Sequence, residues 1–259
     1  MDEVMDMSRN NSGQVLLITA LAIALIISSL MLYVYETSQS VSYADRSLRL
    51  NGFIRNVKIG SRNLVIGSLA NISIGGENET LRINLQRWRS FVESHYYAGK
   101  CSLSYELCED SPYSSGVWIY WGTEGLGVSS AEVDFSLSLS DNSGGADVAY
   151  SINITTHIEI SAVSKWILGS HLVNVTIHLF NEGSPALCRN ITVYYKTPAG
   201  KWRDASTSND YLLKDYGNGT YVARFTISGQ PIVHNREIMV ECFDRRDIFV
   251  KAVTRCVDL

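Results

Sequence analysis

The chain has 259 residues, of which 46% are apolar and 19% are charged, and its formal net charge is −4. The high apolar fraction excludes intrinsic disorder as the main state of the chain. The charge balance argues against nucleic acid as a partner, because nucleic-acid-binding domains present a strongly positive surface. The fourteen tyrosines favour strands over helical bundles, since aromatic residues are enriched in β-sheets.

The chain begins with a short leader at residues 1–14, followed at residues 15–35 by an apolar run without a charge. A helix of this length spans about 31 Å, which matches the hydrocarbon core of a bilayer. Tyr33 and Tyr35 stand at its far end, where amphipathic rings favour the membrane interface. The run therefore predicts a single transmembrane helix with the lipid bilayer as a partner, and a cytoplasmic leader before it.

Glycosylation sequons indicate on which side of the membrane the following domain lies. The basic residues do not decide this, because long domains translocate largely regardless of charge. Asn-x-Ser/Thr sequons after the span are candidate glycosylation sites and begin at Asn71, Asn78, Asn153, Asn174, Asn190 and Asn218. One more sequon begins at Asn10, before the span. Their number after the span favours an extracellular C-terminal domain.

The cysteines support the same side, since all five follow the span and disulfides persist in oxidising compartments. These disulfide candidates are Cys101, Cys108, Cys188, Cys242 and Cys256. Cys101 and Cys108 are close enough in sequence to close a small loop, and we expect them to bridge. A hairpin of 238–243 and 248–253 would place Cys242 opposite Phe249 and Cys256 over ~20 Å away. Cys188 is therefore expected to pair with Cys242 or Cys256, and the odd count leaves one thiol free or bridging between chains.

Residues 36–98 are predicted to form an amphipathic helical stalk. Apolar residues recur at steps of three, four and seven between positions 41 and 69, as on one face of a helix. The pair Gly75-Gly76 marks a turn, and a second helix from about 78 to 97 carries its own apolar face. We expect the two helices to pack as a hairpin, followed by a Cys-containing loop at 99–116.

From residue 117 to 259 the apolar residues alternate with polar ones, which is the period of a half-buried strand. At least seven such runs are separated by turn signals, including Asp141–Gly145. The pattern predicts an antiparallel β-sandwich. The expected fold class is mainly β with an N-terminal helical part.

Residues 215–221, with the sequence DYGNGTY, resemble the turn and tyrosine that lead into a late strand of immunoglobulin-like surface domains. The resemblance covers about residues 147–257. It implies that Tyr221 forms a tyrosine corner, in which the hydroxyl bonds back to a nearby backbone group.

The start of the chain is similar to archaeal type IV pilin-like precursors with class III signal sequences. The similarity rests on residues 9–14, RNNSGQ, placed directly before the apolar run. It implies cleavage by a membrane peptidase between Gly13 and Gln14, and packing of the apolar helix with copies of itself or with other pilus proteins. The leader has one basic residue where the family usually has several, so an uncut anchor stays an open alternative.

No motif in the sequence predicts catalysis, a metal or a cofactor. The five histidines are scattered, and there is no HExxH, GxSxG, P-loop or GxGxxG pattern. Glu106, Glu109 and Asp110 are interpreted as a solvated acidic loop. The aromatic residues Trp118, Tyr120 and Trp121 are interpreted as core residues, with a carbohydrate-binding platform as the alternative if they are exposed.

The sequence thus predicts a membrane-anchored cell-surface protein with a structural or adhesive role. One alternative is a processed pilin-like filament subunit. Another is a surface receptor or solute- or glycan-binding ectodomain, which an exposed Trp118 and Trp121 beside a cleft would favour.

Overall fold

The computed structural model describes residues 7–141, 144–167, 169–228 and 236–258, and the side chains of 7–16, 18, 22 and 38–49 lie outside this description. The chain forms two compact units, Met1–Lys58 and Ile59–Leu259. Helix α1, Met7–Ser73, contributes to both units, and helix α2, Glu79–Ser94, belongs to the second. Asn142 and Ser143 of the predicted turn, and His234, are outside the described residues.

Within the described ranges, twelve strands and one short 3-10 helix, Ala205–Thr207, follow α2. The strands are β1 Lys100–Leu107, β2 Val117–Trp121, β3 Leu126–Asp141, β4 Gly144–Ile167, β5 Ser170–Asn181, β6 Ser184–Pro185, β7 Cys188–Lys196, β8 Trp202–Asp204, β9 Leu212–Asp215, β10 Thr220–Ser228, β11 Glu237–Asp244 and β12 Phe249–Asp258. The fold class is mainly β with an N-terminal helical part, as the sequence predicts.

The first unit carries the apolar helical segment. Thr19–Thr37 is long and apolar enough to cross a membrane, and none of it is buried. The side chains of Leu17, Met31 and Leu32 are 63–73% exposed, whereas large apolar side chains in a folded core are almost fully buried. The prediction of a helix with the length and composition of a membrane span is therefore confirmed among the described residues.

In the second unit, the end of α1 and the whole of α2 form the predicted hairpin. Trp88 Nε1 donates to Ser61 Oγ at 2.8 Å, and Asn84 Nδ2 donates to Ser68 Oγ at 3.0 Å. Gly60 is needed here, because a Cβ at this position would lie 2.3 Å from the Trp88 ring. The second helix ends at Ser94, before the predicted end near residue 97, and His95 beyond it is exposed.

This hairpin covers one face of a small sheet formed by β1, β3 and the first half of β4. Along β3, Val133, Phe135, Leu137 and Leu139 all lie on the buried face. Tyr150 of β4 stacks on Phe135 with ring centroids 5.1 Å apart, and its hydroxyl is 3.1 Å from Ser61 Oγ of α1. The alternation of apolar and polar residues along β3 therefore belongs to a sheet covered by helices, whereas the sequence predicted a sandwich throughout.

The second half of β4 enters the predicted sandwich. Hydrogen-bonded neighbours follow the order β8-β7-β11-β12-β4-β5-β10-β9. The link between β12 and β4 is short and parallel, with Cys256 opposite Ala162, which corrects the purely antiparallel expectation. The strands β4, β5, β10 and β9 form one layer, and β8, β7, β11 and β12 form the other, as in an immunoglobulin-type sandwich.

The core of the sandwich lies between these two layers, and it runs from Ile158 to Cys256. Phe225 is the largest fully buried side chain, and Tyr195 from the opposite layer stacks on it at 5.9 Å. Inward-facing residues alternate with half-exposed ones along β5 and β11, as the period of a strand requires. This core fixes the positions of the turns described below.

Strand β1 corrects the expectation of an irregular Cys-containing loop at 99–116. It pairs antiparallel with β3, from Lys100 opposite Ser140 to Leu107 opposite Val133. Its outer edge is protected by α2, because the Leu103 amide donates to Glu93 Oε1 at 3.1 Å. Arg89 Nε holds the same carboxylate oxygen at 3.1 Å. Charged groups at a sheet edge reduce pairing with other chains.

We expect the Glu93→Ala variant to exchange the Leu103 amide hydrogen roughly tenfold faster than the wild type, because its acceptor is lost. Hydrogen–deuterium exchange measured by mass spectrometry on the solubilised chain tests this. Glu79→Ala is the matched control, since Glu79 pairs with Arg82 on the same helix at 3.5 Å. Equal exchange at Leu103 in both variants would show that Glu93 does not protect the edge.

Candidate functional site

The cysteines form one disulfide, between Cys188 and Cys242. This is one of the two pairings that the hairpin geometry left open for Cys188. The two residues lie on neighbouring strands of one layer, β7 and β11, with Cα atoms 6.5 Å apart. Cys242 faces Val250 across the hairpin, so the expected register with Phe249 was wrong by one residue.

The expected bridge between Cys101 and Cys108 is wrong. Both residues are free and half-buried. Cys101 lies near one end of β1 and Cys108 follows the other end, so an extended strand separates them by about 23 Å. Burial raises the pKa of the Cys101 thiol, and the nearby Glu93 carboxylate adds to this.

Cys256 is the third free cysteine, and it is buried in the sandwich core. Burial raises the pKa of its thiol to about 12, the Asp258 carboxylate adds to this, and Arg236 opposes it. Very little of this thiol is therefore ionised at pH 8, and the thiolate is the reactive form.

We expect iodoacetamide at pH 8 to leave Cys256 unmodified in the folded chain. Peptide mapping after a timed reaction tests this, with labelling of the half-buried Cys108 as the internal control. After unfolding in urea, Cys256 should react as fast as Cys108. Modification of Cys256 at the same rate as Cys108 in the folded chain would contradict its burial.

The aromatic residues of β2 do not form a common platform. The odd spacing of Trp118 and Trp121 places them on opposite faces of the strand. Trp121 packs on the sandwich core, with its ring 5.3 Å from Phe249 and Lys251 Nζ 4.8 Å from its centre. Trp118 meets Tyr113 edge-on at 6.1 Å, and Tyr120 is 48% exposed. The core interpretation therefore fits Trp121, and a carbohydrate platform of all three residues is excluded.

The acidic residues near Cys108 are exposed, as their interpretation as solvated groups requires. Glu106 lies opposite Asp134, and Glu109 accepts a hydrogen bond from the Ser115 amide at 3.2 Å. Across the described part of the chain, no three His, Cys, Asp or Glu residues come together in an arrangement that could hold a metal ion. His171 and His178 are seven residues apart and lie on opposite faces of β5.

Tyr221 has the expected hydrogen bond to the backbone, although its partner is distant. Its hydroxyl accepts from the Cys188 amide at 2.8 Å, so the bond joins β10 to the opposite layer. A tyrosine corner bonds a few residues upstream on the same corner, whereas Cys188 is 33 residues away. Burial raises the pKa of the Tyr221 hydroxyl.

The turn between β11 and β12 contains a buried carboxylate that sequence patterns did not reveal. Asp244 is fully buried and accepts from the amides of Arg246 and Ile248 at 2.8 and 2.9 Å. It also accepts from Arg246 Nε at 2.7 Å and from Thr156 Oγ1 at 3.0 Å. Arg246 continues to Glu182 Oε1 at 2.6 Å, which ties this turn to the turn after β5. All these groups are satisfied within the fold, so the network has a structural role.

Beside this turn lies a cleft of about 490 Å³ between the end of α1 and the β7 layer. It is lined by Ala70, Asn71, Ile74, Arg189, Asn190, Phe243 and Asp247. Arg189 and Asp247 form an exposed ion pair at its wall. These lining residues include no nucleophile paired with a base, but they include two sequon asparagines, Asn71 and Asn190.

The six sequons after the span differ in how their asparagines are held. Asn71, Asn78, Asn190 and Asn218 are exposed, and Asn174 is half-buried within the ladder between β4 and β10. Asn153 Nδ2 donates to Glu132 Oε2 at 2.9 Å and to Tyr113 Oη at 3.2 Å. The amide nitrogen that a glycan would use is therefore already engaged at Asn153.

No known protein family has a model that matches this chain, and no curated protein matches it at a significant level.

Proposed function

We propose that the chain is a membrane-anchored cell-surface protein with a structural or adhesive role. The observation that carries this proposal is the fully exposed apolar helix Thr19–Thr37. Side chains such as Leu25, Leu30 and Leu32 are 57–64% exposed, and covering them with lipid removes a large apolar surface from water. The helix acts as a single-pass anchor in this proposal.

The position of the second unit outside the cell is supported by the disulfide. Cys188 and Cys242 are oxidised in the folded chain, and structural disulfides persist mainly in oxidising compartments. The exposed sequons at Asn78 and Asn218 are accessible to glycosylation on that side. The sandwich then presents its outer faces to partners, and the proposal assigns it no catalytic role.

A second candidate function is a processed pilin-like filament subunit. Packing of the apolar helix among copies would cover the same side chains that a bilayer covers, and Gly13-Gln14 directly precedes the apolar run. In this alternative the mature chain begins at Gln14.

The aromatic residues give less support to a receptor that binds solutes or glycans. Trp121 packs on the core while Trp118 faces the other side of β2, so the pair does not border one cleft.

Intact mass and N-terminal sequencing of the chain from native membranes separate the first two candidates. A start at Met1 or Asp2 supports the standing anchor, and a start at Gln14 supports peptidase processing, to be followed by electron microscopy of filaments. Recovery of the chain in the soluble fraction of lysed cells, without detergent, would contradict both candidates. Protease treatment of intact cells tests the side: degradation of the second unit is expected, and full protection would overturn the extracellular assignment.

A further inference from the structure

The turn between β9 and β10 is built around the sequon Asn218-Gly219-Thr220. The Tyr216 amide donates to the Thr220 carbonyl at 3.1 Å, so three residues form the loop between this pair. Gly217 and Gly219 have φ values of +75° and +81°, which other residues rarely adopt. A Cβ at Gly219 would also lie 2.9 Å from the backbone of Ala186. The two glycines therefore permit a turn that other residues rarely adopt, and the bond between Tyr216 and Thr220 closes it.

This conformation presents the Asn218 side chain to solvent. Asn218 is exposed, and its Oδ1 accepts from the Thr220 amide at 3.1 Å. That bond uses the oxygen, which remains an acceptor after a sugar is attached to Nδ2. The situation at Asn153 is the opposite, because two hydrogen bonds occupy its Nδ2.

Asn218 is also the one sequon of the six after the span with an aromatic residue two positions earlier. That residue is Tyr216, whereas Gly76 precedes Asn78 and Cys188 precedes Asn190 at the same spacing. Tyr216 is 52% exposed, and Lys214 Nζ lies 4.6 Å from the centre of its ring. An exposed aromatic face beside an attached sugar offers a stacking surface for the apolar C–H face of the sugar ring.

We propose that Asn218 carries an N-linked glycan whose first sugar packs on the ring of Tyr216 and stabilises the β9–β10 turn. This rests on the proposed extracellular position of the second unit. The donor is a lipid-linked oligosaccharide. Nδ2 of Asn218 bonds to the anomeric carbon, the bond from that carbon to the lipid phosphate breaks, the phosphate leaves with the electron pair, and the amide loses one proton.

The experiment is expression of the full chain in cells that attach N-glycans, followed by peptide mapping and thermal unfolding of the solubilised protein. A glycan is expected at Asn218. Removal of this glycan by the Asn218→Gln substitution should lower Tm by about 2–4 °C, because a stacking contact contributes about as much free energy as an aromatic pair. The same removal in a Tyr216→Ala background should cause a smaller loss, because only the bond from the Thr220 amide to Asn218 Oδ1 remains to be lost there. In a Tyr216→Phe background the full loss should return, since phenylalanine keeps the aromatic face.

The matched control is Asn78→Gln, which removes an exposed sequon without an aromatic neighbour. Its effect on Tm should be the same in the wild-type and Tyr216→Ala backgrounds. An unmodified Asn218 in a chain glycosylated at other sequons would overturn this inference alone. A glycan at Asn218 whose effect on Tm is equal with and without the Tyr216→Ala substitution would overturn the stacking contact. If no sequon carries a glycan and protease added to intact cells leaves the second unit uncut, the proposed extracellular function itself is overturned.

Discussion

The Cys188→Ala/Cys242→Ala double variant is expected to lose about 4 kcal/mol of the free energy of unfolding, because the bridge closes a loop with a sequence separation of 54. For a unit of this size the loss corresponds to a fall in Tm of roughly 8–16 °C. Urea titration of the detergent-solubilised chain, followed by tryptophan fluorescence, measures it. All five tryptophans lie after residue 58, so the signal reports on the second unit.

Cys101→Ala is the control for this measurement, since it removes a free and half-buried thiol on β1. Its effect should stay within about 1 kcal/mol, and a reducing agent should bring the wild type close to the double variant. If the double variant unfolds at the same urea concentration as Cys101→Ala, the bridge between β7 and β11 does not stabilise the folded chain.

The strand pattern of the sandwich could be predicted from the sequence because alternation is local. Along β5 each apolar residue from Val173 to Leu179 is buried, and the intervening residues are half-exposed. The same period also contained β1, where Cys101, Leu103, Tyr105 and Leu107 alternate with polar residues. The expected short bridge between Cys101 and Cys108 competed with that alternation and led to the wrong prediction of a loop.

The spacing of Trp118 and Trp121 could likewise have predicted that they lie on opposite faces of a strand, since residues three apart in a strand face opposite sides. The contacts that complete the fold are of another kind. The bond from Cys188 to Tyr221 spans 33 residues, and the bond from Thr156 to Asp244 spans 88. No local period marks such pairs, because they depend on how two layers face each other. The sheet covered by α1 and α2 was not predicted for the same reason, since its apolar and polar residues alternate as they do in a sandwich.

The buried carboxylate of Asp244 gives the second large effect: Asp244→Asn is expected to cost about 3–5 kcal/mol of stability. The amide group replaces one acceptor oxygen with a donor. That donor would face either the two backbone amides that donate to Oδ1 or Arg246 Nε and Thr156 Oγ1, which donate to Oδ2. Arg246 would then be left without its buried counter-ion, with its side chain only 16% exposed. Urea unfolding of the solubilised chain measures the loss.

Asp247→Asn is the matched control, because it lies on the same turn and its ion pair with Arg189 is exposed on both sides. An exposed pair contributes less than about 1 kcal/mol. Asn tolerates the φ of +65° at this position, so the backbone of the turn is kept. The difference between the two variants therefore isolates burial from charge. Equal losses would mean that Asp244 holds the turn no more firmly than a surface carboxylate.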